Sequence, residues 1–129
     1  MITAYLVGIP AYQEGEDIEI RYSIYNDTEV LCKKTLYSDY TKPVAVGLKA
    51  LISLLEELPA YDCDVFSIII NDAALNEIIR GSSTTKNGEV LKLASVAKRK
   101  ISRFSKELKI HDISNNHNEI LKWDKALKR

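Results

Sequence analysis

The residues best placed for chemistry in this 129-residue chain are Asn71 and Asp72, a polar pair that ends the run Val65-Phe66-Ser67-Ile68-Ile69-Ile70. A carboxylate beside an amide can serve as a metal ligand, or it can cap a helix by accepting hydrogen bonds from free backbone amides. His111 and His117 flank a turn, with Asp112, Asn115, Asn116 and Asn118 nearby. Such a group could bind a metal or be an ordinary polar surface loop. Lys98, Arg99, Lys100 and Arg103 form a basic stripe suited to neutralising phosphates, or to solvating the outer face of a helix. Near the carboxyl end stand Asp124 and the single tryptophan, Trp123, a packing residue or a platform for base stacking. Cys32 and Cys63 lie in separate segments without metal-type spacing, no cysteine–histidine dyad has sequence support, and the 5 glycines form no phosphate-binding loop.

The elements that must carry these groups follow from periodicity. Residues 65–70 are apolar or β-branched almost throughout, as a strand covered on both faces requires. From Ala73 the spacing changes to Leu75, Ile78 and Ile79, which is helical, and Gly81 supplies the stop. Ahead of this unit, residues 2–11, 18–25 and 30–37 read as three strands joined by the polar turns 13–17 and 26–29, an antiparallel meander. Tyr22, Tyr25, Tyr37 and Tyr40 fall in the meander and could line a contact surface. Pro43 opens a helix with Val44, Leu48, Leu51, Ile52, Leu55 and Leu58 at helical spacing. After an eight-residue polar loop, 81–88, a long helix is predicted over 89–108, then a short strand over 109–113 and a closing helix over 119–127. A meander followed by alternating helices and strands makes a mixed α/β sheet with helices packed against it.

Four segments give this order a resemblance to the ribonuclease H-like family, over nearly the whole chain. The stretch from Asn71-Asp72-Ala73-Ala74-Leu75 to Ile79-Arg80-Gly81 has the length and apolar positions of the family's central-strand motif, Asp-Ser followed by aliphatics and a glycine. Tyr5-Leu6-Val7-Gly8 matches the Tyr-Thr-Asp-Gly that ends the family's first strand. Thr41-Lys42-Pro43-Val44-Ala45-Val46 stands where the family has Asn-Asn-Arg-Ala-Glu ahead of a leucine-rich helix. Asn118-Glu119-Ile120-Leu121-Lys122 matches the Asn, three residues, Asp of the last helix. The resemblance implies a single domain over 1–129, with a five-stranded sheet of a three-strand antiparallel meander plus parallel strands, flanked by helices.

It also implies a reaction: hydrolysis of a phosphodiester by two divalent ions, Mg²⁺ or Mn²⁺, held about 4 Å apart by clustered carboxylates. The positions matching the family's four acids are Val7, Val46, Asn71 and Lys122. Valine offers no oxygen, asparagine offers one neutral oxygen, and lysine puts a positive charge where a cation would sit. The expectation is therefore a degenerate, non-catalytic member with neither catalytic nor metal-binding residues, using the scaffold to bind nucleic acid or a protein partner. By resemblance, Lys98, Arg99, Lys100 and Arg103 would contact an RNA–DNA hybrid or duplex. The alternative is a divergent nuclease in which Asp72, together with displaced acids such as Asp124, rebuilds a metal site.

Composition sets the remaining bounds. A content of 46% hydrophobic residues is enough for one core. Nothing approaches the ~20 consecutive apolar residues of a membrane span, the amino terminus has no leader pattern, and two separate cysteines suit reduced thiols in the cytoplasm. The formal charge is zero, but residues 1–81 hold 6 Lys and Arg against 13 Asp and Glu, and residues 82–129 hold 12 against 5. That asymmetry suits either a nucleic-acid surface or two halves that attract each other in the fold.

Overall fold

The computed structural model describes residues 1–81 and 85–128, so the middle of the polar loop at 82–84 lies outside the described residues. Five strands and four helices follow in the order β1 (Ile2–Ile9), β2 (Ile18–Asn26), β3 (Glu29–Ser38), α1 (Pro43–Glu57), β4 (Val65–Ile70), α2 (Ala73–Arg80), α3 (Gly88–Ser102), β5 (Glu107–Asp112) and α4 (His117–Leu127), with a 3-10 turn at Leu58–Ala60. The strands form one sheet in the order β3-β2-β1-β4-β5. The β1–β2 and β2–β3 pairs are antiparallel, while β1–β4 and β4–β5 are parallel. This is the mixed sheet the sequence pattern called for.

Alternation along the strands sorts the side chains onto two faces. Ile2, Ala4 and Leu6 of β1 register with Ile24 and Tyr22 of β2 and with Phe66 and Ile68 of β4, and all are buried. That face is covered by α1, whose Ala45, Val46, Leu48, Leu51, Leu54 and Leu55 are buried. Beside α1 lies α3, anchored through Val90, Ala94 and Ala97. The opposite face carries Tyr5, Ser23 and Tyr25 and is covered by α4, where Ser23 Oγ donates to the Ala126 carbonyl at 2.5 Å. Because α4 sits over β1 and β2, it covers β4 incompletely: Phe66, Ser67, Ile68 and Ile70 are buried, but Val65 and Ile69 are only half-buried.

Three sequence expectations need correction. The long helix ends at Ser102, not 108, and β5 begins at Glu107. Phe104 and Leu108 keep the helical apolar spacing but belong to the turn and the strand, because residues past Arg103 leave the helix to pair with β4. The apolar period cannot separate these outcomes, since both bury the same residues. The closing helix starts two residues early, at His117, because Asn116 caps it by accepting from the Glu119 amide at 3.1 Å. Nor do the meander tyrosines form one surface. Tyr22 is buried and donates to Glu57 Oε1 at 3.0 Å, Tyr25 packs edge-on against Tyr5, and Tyr37 is exposed.

Candidate functional site

The parallel pairing of β1 and β4 brings their carboxyl ends side by side. A small cleft of about 50 Å³ opens there, bounded by Val7 and Gly8 of β1, Gly47 and Ala50 of α1, Asn71 and Asp72 beyond β4, and Trp123 of α4. Each wall has a local cause. The first helix reaches the sheet because Gly8 has no side chain: a Cβ there would stand 2.9 Å from both Val46 Cγ1 and the Val46 carbonyl oxygen. Gly47 gives room on the other side, where a Cβ would stand 2.8 Å from Asp72 Oδ2.

Asp72 sits in extended backbone as the N-cap of α2, its Oδ1 accepting from the Leu75 amide at 3.0 Å. Gly81 closes the same helix with a left-handed φ of 76°. The Asp72 amide donates to Asp112 Oδ1 at 3.1 Å, and Asp112 also accepts from the Ser114 amide at 3.1 Å and from Ser114 Oγ at 2.7 Å. Asp112 therefore ties the end of β5 to the start of α2. Across the cleft, Trp123 Nε1 donates to the Leu6 carbonyl at 2.9 Å, joining α4 to β1.

Of the positions matched to the family's acids, Val7 and Asn71 line the cleft. Val46 is buried beneath Gly8 and only 1% exposed; the α1 residues that open to the cleft are Gly47 and Ala50. Lys122, next to Trp123, is solvent-exposed and pairs with Glu119 at 3.3 Å. Asp124 is exposed. The oxygen donors of the cleft side chains are thus the Asn71 amide and the Asp72 carboxylate, whose Oδ1 is already used in the cap. Two hard divalent cations take six or more oxygens each and are held by several carboxylates, and this donor set does not fit them. Among the described residues no three His, Cys, Asp or Glu side chains gather as a metal site, and His111 and His117 are exposed. Near the cleft, burial pushes the Tyr5 hydroxyl above its ordinary pKa, with Glu119 adding to the effect.

The basic stripe stands elsewhere. Arg99, Lys100 and Arg103 border a groove at the amino end of β4, beside Phe66 and Tyr61, whereas Asn71 follows the carboxyl end. Six strand residues separate the two ends, about 20 Å at 3.3 Å per residue. Lys98 is exposed on the same last turns of α3.

Sequence reasoning missed Gly47, Trp123 as a wall of the cleft, and Asp112 as a clamp. Gly47 had a usable signal, because it lies three residues before Ala50 and so shares its helix face. The Trp123–Leu6 and Asp112–Asp72 bonds join residues far apart in the chain, and no local pattern announces them.

No family model matches this chain, and no curated protein matches it. Solved structures do. The RNase H1 of the halophilic archaeon Halobacterium salinarum superposes with a TM-score of 0.77 at 13% identity, covering 92% of this chain and 89% of that one. LC11-RNase H1, solved in complex with an RNA/DNA hybrid, gives 0.77 at 16% identity, with 98% and 94% covered. The N-terminal RNase H domain of a Mycobacterium tuberculosis protein gives 0.72 at 15% identity, with 97% and 94% covered. The chain has the ribonuclease H-like fold.

Proposed function

We propose that this chain is a non-catalytic ribonuclease H-like module that binds nucleic acid, an RNA–DNA hybrid or duplex, without cleaving it. The observation that carries the reading is the donor chemistry of the cleft: among the described residues that line it Asp72 is the one carboxylate, beside the Asn71 amide, Val7, Gly47 and Trp123, whereas the reaction needs several carboxylates together. Binding is supported by the fold it shares with a protein solved on an RNA/DNA hybrid. Cations are available at both ends of the domain, with Lys122 beside the cleft and Lys98 on α3.

A nuclease using Asp72 is the second reading, and one feature favours it: Oδ2 of Asp72 faces the cleft while Oδ1 caps the helix.

The test is fluorescence anisotropy of a labelled RNA–DNA hybrid in EDTA over a salt series, with the hybrid recovered and checked for length. Phosphate-led binding loses affinity steeply with salt, roughly in proportion to the number of phosphates neutralised. Lys122→Glu and Lys98→Glu locate the surface, since the one that weakens binding and flattens the salt slope lies in it. An absence of hybrid binding at low salt contradicts the nucleic-acid reading.

A further inference from the structure

Away from the cleft, at the opposite end of the sheet, the end of α1 and the end of α3 enclose a groove of about 860 Å³. That is within the range of small-molecule sites, roughly 300–1,000 Å³. Its floor is aromatic: Phe104 packs edge-on against buried Phe66, with ring centres 5.0 Å apart at 81°, and half-buried Tyr61 stands on the wall. Arg99 and Arg103 edge the groove one helical turn apart. Among the described residues no acid pairs with either guanidinium, whereas the neighbouring Lys100 and Lys106 are engaged by Glu56 and Asp64, each at 3.5 Å.

We propose that this groove is a binding site for a small anion with a flat aromatic body, held by Arg99 and Arg103 through its charge and by Phe104 and Tyr61 through its ring. Two guanidiniums at i and i+4 share one helix face and are spaced to grip one compact anionic group. Arginine also stacks on flat rings, which lysine does poorly. The size of the groove argues for a small ligand: about 860 Å³ takes one compact body against the aromatic side chains. Its lining carries Arg99, Lys100, Arg103 and Lys106 against Glu56 and Asp62, with Glu56 already paired to Lys100, so the local field favours an anion. The site lies about 20 Å from the cleft but on the same last turns of α3 as Lys98, so a nucleic acid is the competing occupant that the test separates from a small anion.

The probe is 1-anilinonaphthalene-8-sulfonate, followed by its fluorescence and by calorimetry for stoichiometry, with the uncharged N-phenyl-1-naphthylamine as the comparison. One dye per chain is expected, the uncharged dye binding at least ~10-fold more weakly, and Arg103→Glu and Arg99→Glu each weakening the sulfonate at least ~10-fold. Both arginines are exposed, so these variants keep their fold, which far-UV circular dichroism and the melting temperature check. Equal binding of the two dyes, indifference to the arginine variants, or no saturable binding overturns the proposal. Displacement of the dye by a short RNA–DNA hybrid also overturns it, by assigning the groove to nucleic acid.

Discussion

Gly8 governs how closely α1 approaches the end of β1. An added methyl group would meet the backbone oxygen of Val46 as well as its side chain. A side chain can rotate away, but the carbonyl moves only with the helix. Gly8→Ala should therefore destabilise the domain by about 1–3 kcal/mol, as overpacking does, measured by urea unfolding. Trp123→Phe keeps a ring but removes the donor to the Leu6 carbonyl; a loss of about 1–2 kcal/mol is expected, read by circular dichroism because the variant has no tryptophan. At Asp72 the cap and the second reading separate. Asp72→Ala should cost about 1 kcal/mol of stability, and Asp72→Asn much less, because the amide oxygen can still accept from the Leu75 amide. The Asn71-Asp72 tip was legible in the sequence because it interrupts an apolar run. The cleft wall was not: it depends on which faces of α1 and α4 meet β1, and helical period alone leaves that rotation open.

At the scale of elements, the strand that ends at Asn71 and the helix capped by Asp72 were legible from a change of period within a dozen residues. The boundary between α3 and β5 was not, since Phe104 and Leu108 continue the apolar spacing of the helix although they stand, partly buried, in the turn and the strand. The meander is joined to α1 by a polar cluster that periodicity does not reveal: Tyr22 and Lys34 both donate to Glu57, at 3.0 and 2.9 Å. Lys34, then Tyr22, hold the Glu57 carboxyl below its ordinary 4.5. Since the folded chain deprotonates more readily there than the unfolded one, this stability is present above about pH 4.5 and is lost as pH falls through the lower folded value. Burial, followed by the bond to Glu57, pushes Tyr22 up. Burial, followed by a bond with Cys32, pushes Tyr61 up to about 12. These tyrosines stabilise the fold fully below about pH 10, and that contribution is lost as pH rises through their folded values. Glu57→Gln should flatten the acid limb of a stability–pH profile, and Tyr22→Phe the alkaline limb.

On the scale of the whole molecule, the two ends of the sheet do different things. One end gathers the carboxyl termini of β1 and β4 into a cleft poor in oxygen donors; the other carries the aromatic groove and two arginines that pair with no acid among the described residues. Fold class and the order of elements along the chain were readable from the sequence because three strands in succession, followed by alternating helices and strands, leave few sheets to build; the order of strands within the sheet came with the structure. The charge asymmetry left two options in the sequence, a nucleic-acid surface or two halves that attract each other; the fold sets Lys100 and Lys106 against Glu56 and Asp64, acids of the first half, so part of the asymmetry is internal attraction between the halves. Among the described residues, no helix is long and apolar enough to cross a membrane.

The most direct test of the account is a single-turnover assay, with protein in excess over an end-labelled RNA–DNA hybrid, in Mg²⁺ and separately in Mn²⁺. Intact hybrid over hours in both metals, under conditions where anisotropy shows it bound, is the predicted result. Metal-dependent cleavage that disappears in Asp72→Asn would contradict the account and make Asp72 a metal ligand in a working nuclease.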